Sequence, residues 1–162
     1  ELIGSDSAAA AGEIVSLAVE ALAAAGATGI SVDFTLPDLV DTLAEKALPL
    51  APEQIDAVRR ELDMKDAGAL REAGGEAYLP LLYAAGGALA SRIAGLQEVA
   101  ARLDGAARIT LDPTERHGFE YQSWFGFTLY AEGVRGALGR GGTYTIRGRE
   151  EPATGFSLYL DP

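Results

Sequence analysis

The densest set of side chains able to do chemistry is the stretch Arg116-His117-Gly118-Phe119-Glu120-Tyr121-Gln122-Ser123-Trp124. It brings an imidazole, a carboxylate, a phenol, an amide and an indole close together in the chain. If the stretch is extended, His117, Phe119 and Tyr121 share one face, while Glu120 and Gln122 point the other way. Such a strand can hold a small polar ligand. A half-buried strand whose histidine and tyrosine are satisfied within the protein has the same pattern. Gly139-Arg140-Gly141-Gly142 is a second candidate. It lacks the Gly-Lys-Ser/Thr ending of a phosphate loop, and a strand-like rather than a helix-like segment follows it. It reads as a tight turn or as a close backbone approach to a ligand. Glu13, Glu20, Glu45 and Glu61 fall on helix surfaces, as does the Arg59-Arg60 pair, and no carboxylate pair has a spacing that compels acid–base catalysis.

Composition narrows the chemistry further. The 162 residues suit one compact domain, and 48% of them are hydrophobic, enough to build a core. There is no cysteine and only one histidine. Thiolate nucleophiles, disulfides and most transition-metal sites are thereby disfavoured, and no metal or cofactor is expected. No Gly-x-Ser-x-Gly elbow accompanies His117. A net charge of −11 repels phosphate backbones, so no nucleic-acid partner is expected. No apolar run spans a bilayer, and the N-terminus lacks a basic region followed by an apolar core, so the expected compartment is the cytoplasm, with no membrane partner. The chain opens on Glu-Leu-Ile-Gly rather than methionine, as a piece of a longer protein would.

The elements that must position these residues divide into two textures: a helix-rich half over about 1–105 and a β-rich half over about 106–162. Ser5 or Asp6 can cap a first helix running to about Ala25, with Ile14, Leu17, Ala18, Ala21, Leu22 and Ala25 on its apolar face. Ile30, Val32, Phe34 and Leu36 alternate as in a strand. Pro37 and Pro52 each suit the first turn of a short helix. Pro52 to Ala85 reads as several short helices broken near Asp63 and at Gly74-Gly75. Leu89, Ile93, Leu96, Ala100 and Leu103 make the stripe of a longer helix. In the second half, Ile109 and Leu111 share a face, as do Phe125, Phe127 and Leu129. Gly139 to Gly142 reads as a turn, Thr143 to Ile146 as a strand, and Phe156, Leu158 and Leu160 as the last strand. Short connections favour antiparallel pairing, which makes this an α+β chain with a terminal meander.

Four stretches, in order, resemble the catalytic-domain core of histidyl-tRNA synthetases. Glu1-Leu-Ile-Gly-Ser-Asp6 resembles the end of the second class II motif. Gly118-Phe-Glu-Tyr121 resembles the Gly-Leu-Asp-Tyr core of the histidine-specific motif. Gly141-Gly142-Thr-Tyr144 resembles the Gly-Gly-Arg-Tyr turn that follows, and Gly155-Phe-Ser-Leu158 resembles the opening of the third motif. The resemblance implies a class II aminoacyl-tRNA-synthetase-like antiparallel sheet flanked by helices, with residues 1–162 forming part of one such domain. It also implies a histidine-type pocket at Glu1, His117, Tyr121, Gln122, Gly141 and Tyr144.

The departures point away from catalysis. Where the synthetases carry an activating arginine before Gly-Leu-Asp-Tyr, this chain has His117, largely neutral near pH 7 at an unperturbed pKa of about 6.5. The arginine of the Gly-Gly-Arg-Tyr turn is Thr143 here, and that of the third motif falls on Pro162. Charge stabilisation of a triphosphate should then fail. This profile is similar to the regulatory subunits of ATP phosphoribosyltransferase, paralogues of the synthetases. The resemblance implies a subunit with no catalytic residue of its own, required by a short-form catalytic subunit and for histidine feedback in histidine biosynthesis. It further implies L-histidine as a ligand and a homo-oligomer within a hetero-oligomer. Two alternatives stand beside it: a fragment of an active histidyl-tRNA synthetase, and an amino-acid sensor without a transferase partner.

Overall fold

A computed structural model describes residues 1–82, 90–114 and 122–159 of the chain. Two stretches, β1 (Leu2–Ile3) and α1 (Ala8–Ala24), lead into strand β2 (Ser31–Thr35). A helical excursion follows: α2 (Leu39–Lys46), α3 (Pro52–Asp63), α4 (Ala67–Glu72), a 3-10 helix (Glu76–Leu82) and α5 (Ala90–Arg102). The chain then returns to strands β3 (Arg108–Leu111), β4 (Gln122–Tyr130), β5 (Gly139–Ile146) and β6 (Glu151–Leu158). All join one six-stranded sheet in the order β1-β6-β5-β4-β2-β3.

The α+β class and the helix-flanked sheet expected from the sequence are found, but the strands are laid out differently from a terminal meander. β2, from the helix-rich half, lies between β3 and β4, and β3 runs parallel to it with Val32 opposite Ile109. Short connections force antiparallel pairing only from β4 through β6. The long helical crossover between β2 and β3 is free to bring the chain back in the same direction. A second correction concerns Gly139 to Gly142, which lie inside β5 and not in a turn. The reversal comes earlier, where Gly133 and Gly136 adopt φ of 76° and 80°, and is closed by the Leu138 amide donating to the Leu129 carbonyl at 2.7 Å.

The helix expectations hold with shifts in detail. The cap of α1 is Ser7, whose Oγ accepts from the Ala10 amide at 3.1 Å, rather than Ser5 or Asp6. Val15 and Val19 are buried, whereas Leu17 is 52% exposed, so the apolar face is rotated from the one expected. In an alanine-rich helix several faces are nearly equally apolar, and packing chooses among them. The breaks near Asp63 and at Gly74-Gly75 fall between α3, α4 and the 3-10 helix as expected. Leu96 of α5 and Leu103 just past its end are buried, and Ala100 is partly so. Ala85, Leu89, Leu160 and the side chain of Ile93 lie outside the described part.

One face of the sheet packs under helices. Phe125, Phe127 and Leu129 share it as the alternation requires, and Phe34 meets Phe125 edge-on at 5.3 Å between ring centres. They join Val15, Ala18, Val19 and Leu22 of α1, Leu96 and Val99 of α5, and Leu103 just beyond it in one core. Each fully buried side chain of this size contributes about 1.5–3 kcal/mol. The helical excursion adds Leu62, Leu70 and Tyr78 to the same cluster. The Tyr78 hydroxyl donates to the Leu48 carbonyl at 2.7 Å. Burial, and secondarily the charge of Asp41, raise its pKa, so the hydroxyl stays a donor.

A bulge in β4 fixes how this face continues toward the site. Gln122 pairs with Tyr144 and Gly126 with Gly142, so β4 has extra residues opposite Thr143. Thr143 repairs the ladder. Its Oγ1 accepts from the Phe125 amide at 3.1 Å and is hydrogen-bonded to the Ser123 hydroxyl at 2.8 Å. The same bulge carries Trp124 to the helices, where its Nε1 donates to the Asp6 carbonyl at 2.7 Å and its ring lies beside Gly95 of α5. Replacing Thr143 by valine keeps the shape but orphans the Phe125 amide. Thr143→Val should cost about 1–3 kcal/mol. Urea unfolding followed by Trp124 fluorescence should show a lower midpoint at unchanged m-value. An unchanged midpoint would show that the hydroxyl does not hold the bulge.

Candidate functional site

The opposite face of the sheet carries the site, and its floor is bare backbone. Gly126 of β4 pairs with Gly142 of β5, which pairs with Gly155 of β6. Three glycines in direct register leave a strip across three strands with no side chains. A Cβ on Gly126 would stand 2.8 Å from Gln122 Oε1, and one on Gly155 would stand 2.7 Å from Glu1 Cγ. The strip is therefore the seat on which the Gln122 and Glu1 side chains lie. Gln122 is pinned there by donating its Nε2 to the Gly141 carbonyl at 2.9 Å. Glu1 is pinned by accepting from the Tyr144 hydroxyl at 2.8 Å. β1 brings Glu1 to this place by pairing Leu2 with Thr154 and Ile3 with Ala153 of β6.

Above the floor is an open cavity of about 510 Å³. Glu1, Gln122, Gly141 and Tyr144 line it together, although in sequence they lie at opposite ends of the chain. His117 and Tyr121, the other residues expected there, lie outside the described residues. Thr143, the position read as a lost pocket cation, faces the helices and is fully buried, so it does not bear on the cavity. Two cations that the sequence reading did not place here do line it: Arg140 and Arg147. Reading Gly139 to Gly142 as a turn hid Arg140. As part of a strand, position 140 shares a face with 142 and 144. The run Gly139 to Tyr144 has no large apolar residue on its core side, so no hydrophobic alternation marks that face in the sequence.

The wall offers a carboxylate oriented by a phenol, an amide carbonyl, exposed peptide groups and guanidinium donors. That set suits binding a small ligand that has both a donor end and an acidic end. Among the described residues, no group of three His, Cys, Asp or Glu side chains converges as a metal site would require.

The family model for histidyl-tRNA synthetase matches residues 1–85 and 79–162. The chain belongs to the histidyl-tRNA synthetase family. Within that family its sequence lies close to proteins named ATP phosphoribosyltransferase regulatory subunit. It is 43% identical to the one from Rhodospirillum centenum, over 99% of this chain and 47% of that protein. It is 38% identical to the one from Paramagnetospirillum magneticum, over 99% of this chain and 48% of that protein. The chain thus spans about half the length of the curated relatives it matches.

Solved structures of the family share the fold. One from Bacillus halodurans, described as an ATP phosphoribosyltransferase regulatory subunit/histidyl-tRNA synthetase, superposes with a TM-score of 0.76 at 22% identity, covering 98% of this chain and 50% of that one. A chain of the ATP phosphoribosyl transferase HisG:HisZ complex from Thermotoga maritima gives 0.76 at 15% identity, covering 99% and 64%. The helix-flanked class II-like sheet expected from the motifs is therefore the family's fold.

The glycine floor yields a paired expectation. A Cβ on Gly142 would collide with the Phe125 carbonyl and stand 3.0 Å from Gly126 Cα, both backbone atoms that cannot swing aside. A Cβ on Gly155 meets mainly the flexible Glu1 side chain. Gly142→Ala should lower stability by about 1–3 kcal/mol, as overpacking does. Gly155→Ala should cost less than about 1 kcal/mol, within the range of tolerant sites. Chemical denaturation of both variants compares them, and equal losses would show that the floor is not rigid at Gly142.

Proposed function

We propose that this chain is the synthetase-like part of a non-catalytic regulatory subunit of ATP phosphoribosyltransferase. In this reading a short-form catalytic subunit requires it for activity, and L-histidine acts through it as feedback ligand. The observation that carries the reading is the 43% identity to a protein of that name across 99% of the chain. The complex described for Thermotoga maritima, one chain of which shares this fold, supports a catalytic subunit as partner.

The pocket supports a histidine-type ligand. An imidazole has two distinct nitrogens that need one acceptor and one donor or second acceptor. The Glu1 carboxylate and the Gln122 amide both line the cavity and provide oxygen acceptors, and Tyr144 holds the first in place. We take the protein to work in the cytoplasm as a homo-oligomer within the hetero-oligomeric complex. No helix among the described residues is long and apolar enough to cross a membrane.

A second reading, part of an active histidyl-tRNA synthetase, is favoured by the two guanidinium groups on the cavity wall, since amino-acid activation requires cations there. The two readings separate in one experiment on the full-length protein. The regulatory reading expects no histidine-dependent exchange of pyrophosphate into ATP, and stimulation of phosphoribosyl transfer when the protein is added to its catalytic subunit. Measurable exchange, lost on replacing Arg140, would establish the synthetase reading instead. A protein that neither exchanges pyrophosphate nor co-purifies with a transferase would be a sensor without that partner.

A further inference from the structure

Beside the glycine floor runs a second row of residues in direct register: Asp33 of β2, Thr128 of β4, Arg140 of β5 and Ser157 of β6. They share the cavity side of the sheet, since each is the cross-strand partner of the next. Such a row would ordinarily neutralise itself by pairing its aspartate with its arginine. Here Thr128 separates them, and two strand spacings hold their backbones roughly 9.5 Å apart. Asp33 instead accepts from the Thr110 hydroxyl of β3 at 2.8 Å.

Arg140 is left with neither a hydrogen bond nor an ion pair among the described residues, and its Nε is buried. The Thr128 hydroxyl beside it is likewise buried and without a partner. The chain has 24 carboxylates and only 13 lysines and arginines, so a half-buried guanidinium with no acidic partner is unusual here. Arg140 lines the same cavity as Glu1. Along β5 it stands two residues from Gly142, roughly 7 Å from the row on which Glu1 lies. The two opposite charges thus face one cavity, Glu1 from the glycine row and Arg140 from the row beside it.

We propose that Arg140 receives the carboxylate of an amino-acid ligand and so makes the pocket selective for α-carboxylates. This rests on the reading of the cavity as an amino-acid pocket given above. A guanidinium presents two parallel donors that match one carboxylate. Glu1, on the same cavity wall, favours the ligand's donor or cationic end. The site therefore offers each end of a zwitterion a partner.

Calorimetric titration of the full-length protein with L-histidine and with histamine, which lacks the carboxylate, tests this. The wild type should bind L-histidine at least tenfold more tightly than histamine. Arg140→Gln should abolish that preference by weakening L-histidine about tenfold while leaving histamine unchanged. Arg140→Lys, which keeps stem and charge but loses the fork, should reduce the preference. The ratio of the two affinities does not register a merely structural defect, which would weaken both ligands together. An undiminished preference in whichever variant folds overturns the role of Arg140 and leaves the pocket reading standing. Equal binding of both ligands by the wild type does the same. A wild type that binds neither ligand overturns the pocket reading, and the role of Arg140 with it.

Discussion

The feature on which the rest of the site depends is the alignment of three glycines, Gly126, Gly142 and Gly155, across neighbouring strands. Glycine in a strand loses backbone entropy on folding and contributes no packing. Three in one row would weaken the centre of a sheet unless something beneath compensated. Here the reverse face does so, with Phe125 in contact with both Phe34 and Phe127 on the core side of the sheet. The sheet is thus built as two surfaces of opposite character. One is a dense aromatic layer against helices, and the other is nearly naked peptide on which polar side chains from distant parts of the chain can lie flat.

That division explains which parts of the molecule were legible in the sequence. The aromatic face was, because Phe125, Phe127 and Leu129 alternate with polar residues and only one strand register buries all of them. The short helices were, because proline and glycine punctuate them. The glycine strip was not. Gly139 to Gly142 carries no hydrophobic period, and glycine clusters signal turns more often than strands. The true turn, at Gly133 and Gly136, lay inside what read as the connection. The intercalation of β2 between β3 and β4 was also invisible, since alternation gives a strand its faces and says nothing of its neighbours.

The same division changes the electrostatic argument drawn from the motifs. Counting absent arginines treats motif positions as if all faced the ligand. Thr143 does not: it faces the helices, where its hydroxyl closes the bulge of β4. Arg140, in a stretch read as a tight turn or a close backbone approach to a ligand, does. Glu1, Gln122 and Tyr144, singled out through the motifs, line one cavity. Residue types and motif order singled out four residues of this cavity wall, while its charge balance required knowing which way each strand residue points.

The pairing of Leu2 with Thr154 has a consequence for how the molecule comes together. It pairs position 2 with position 154, and the hydrogen bond from Tyr144 to Glu1 links residues 143 apart in sequence. Contacts of such separation form after local structure, because the loop they close must first be ordered. The acidic wall of the cavity is then among the last parts to assemble, after the β4–β5–β6 hairpins and the helical layer. During synthesis, the side chain that opens this sequence must wait for the β6 strand near its far end before its seat exists. Completion of the cavity is in that sense a report that β1 and β6 have paired.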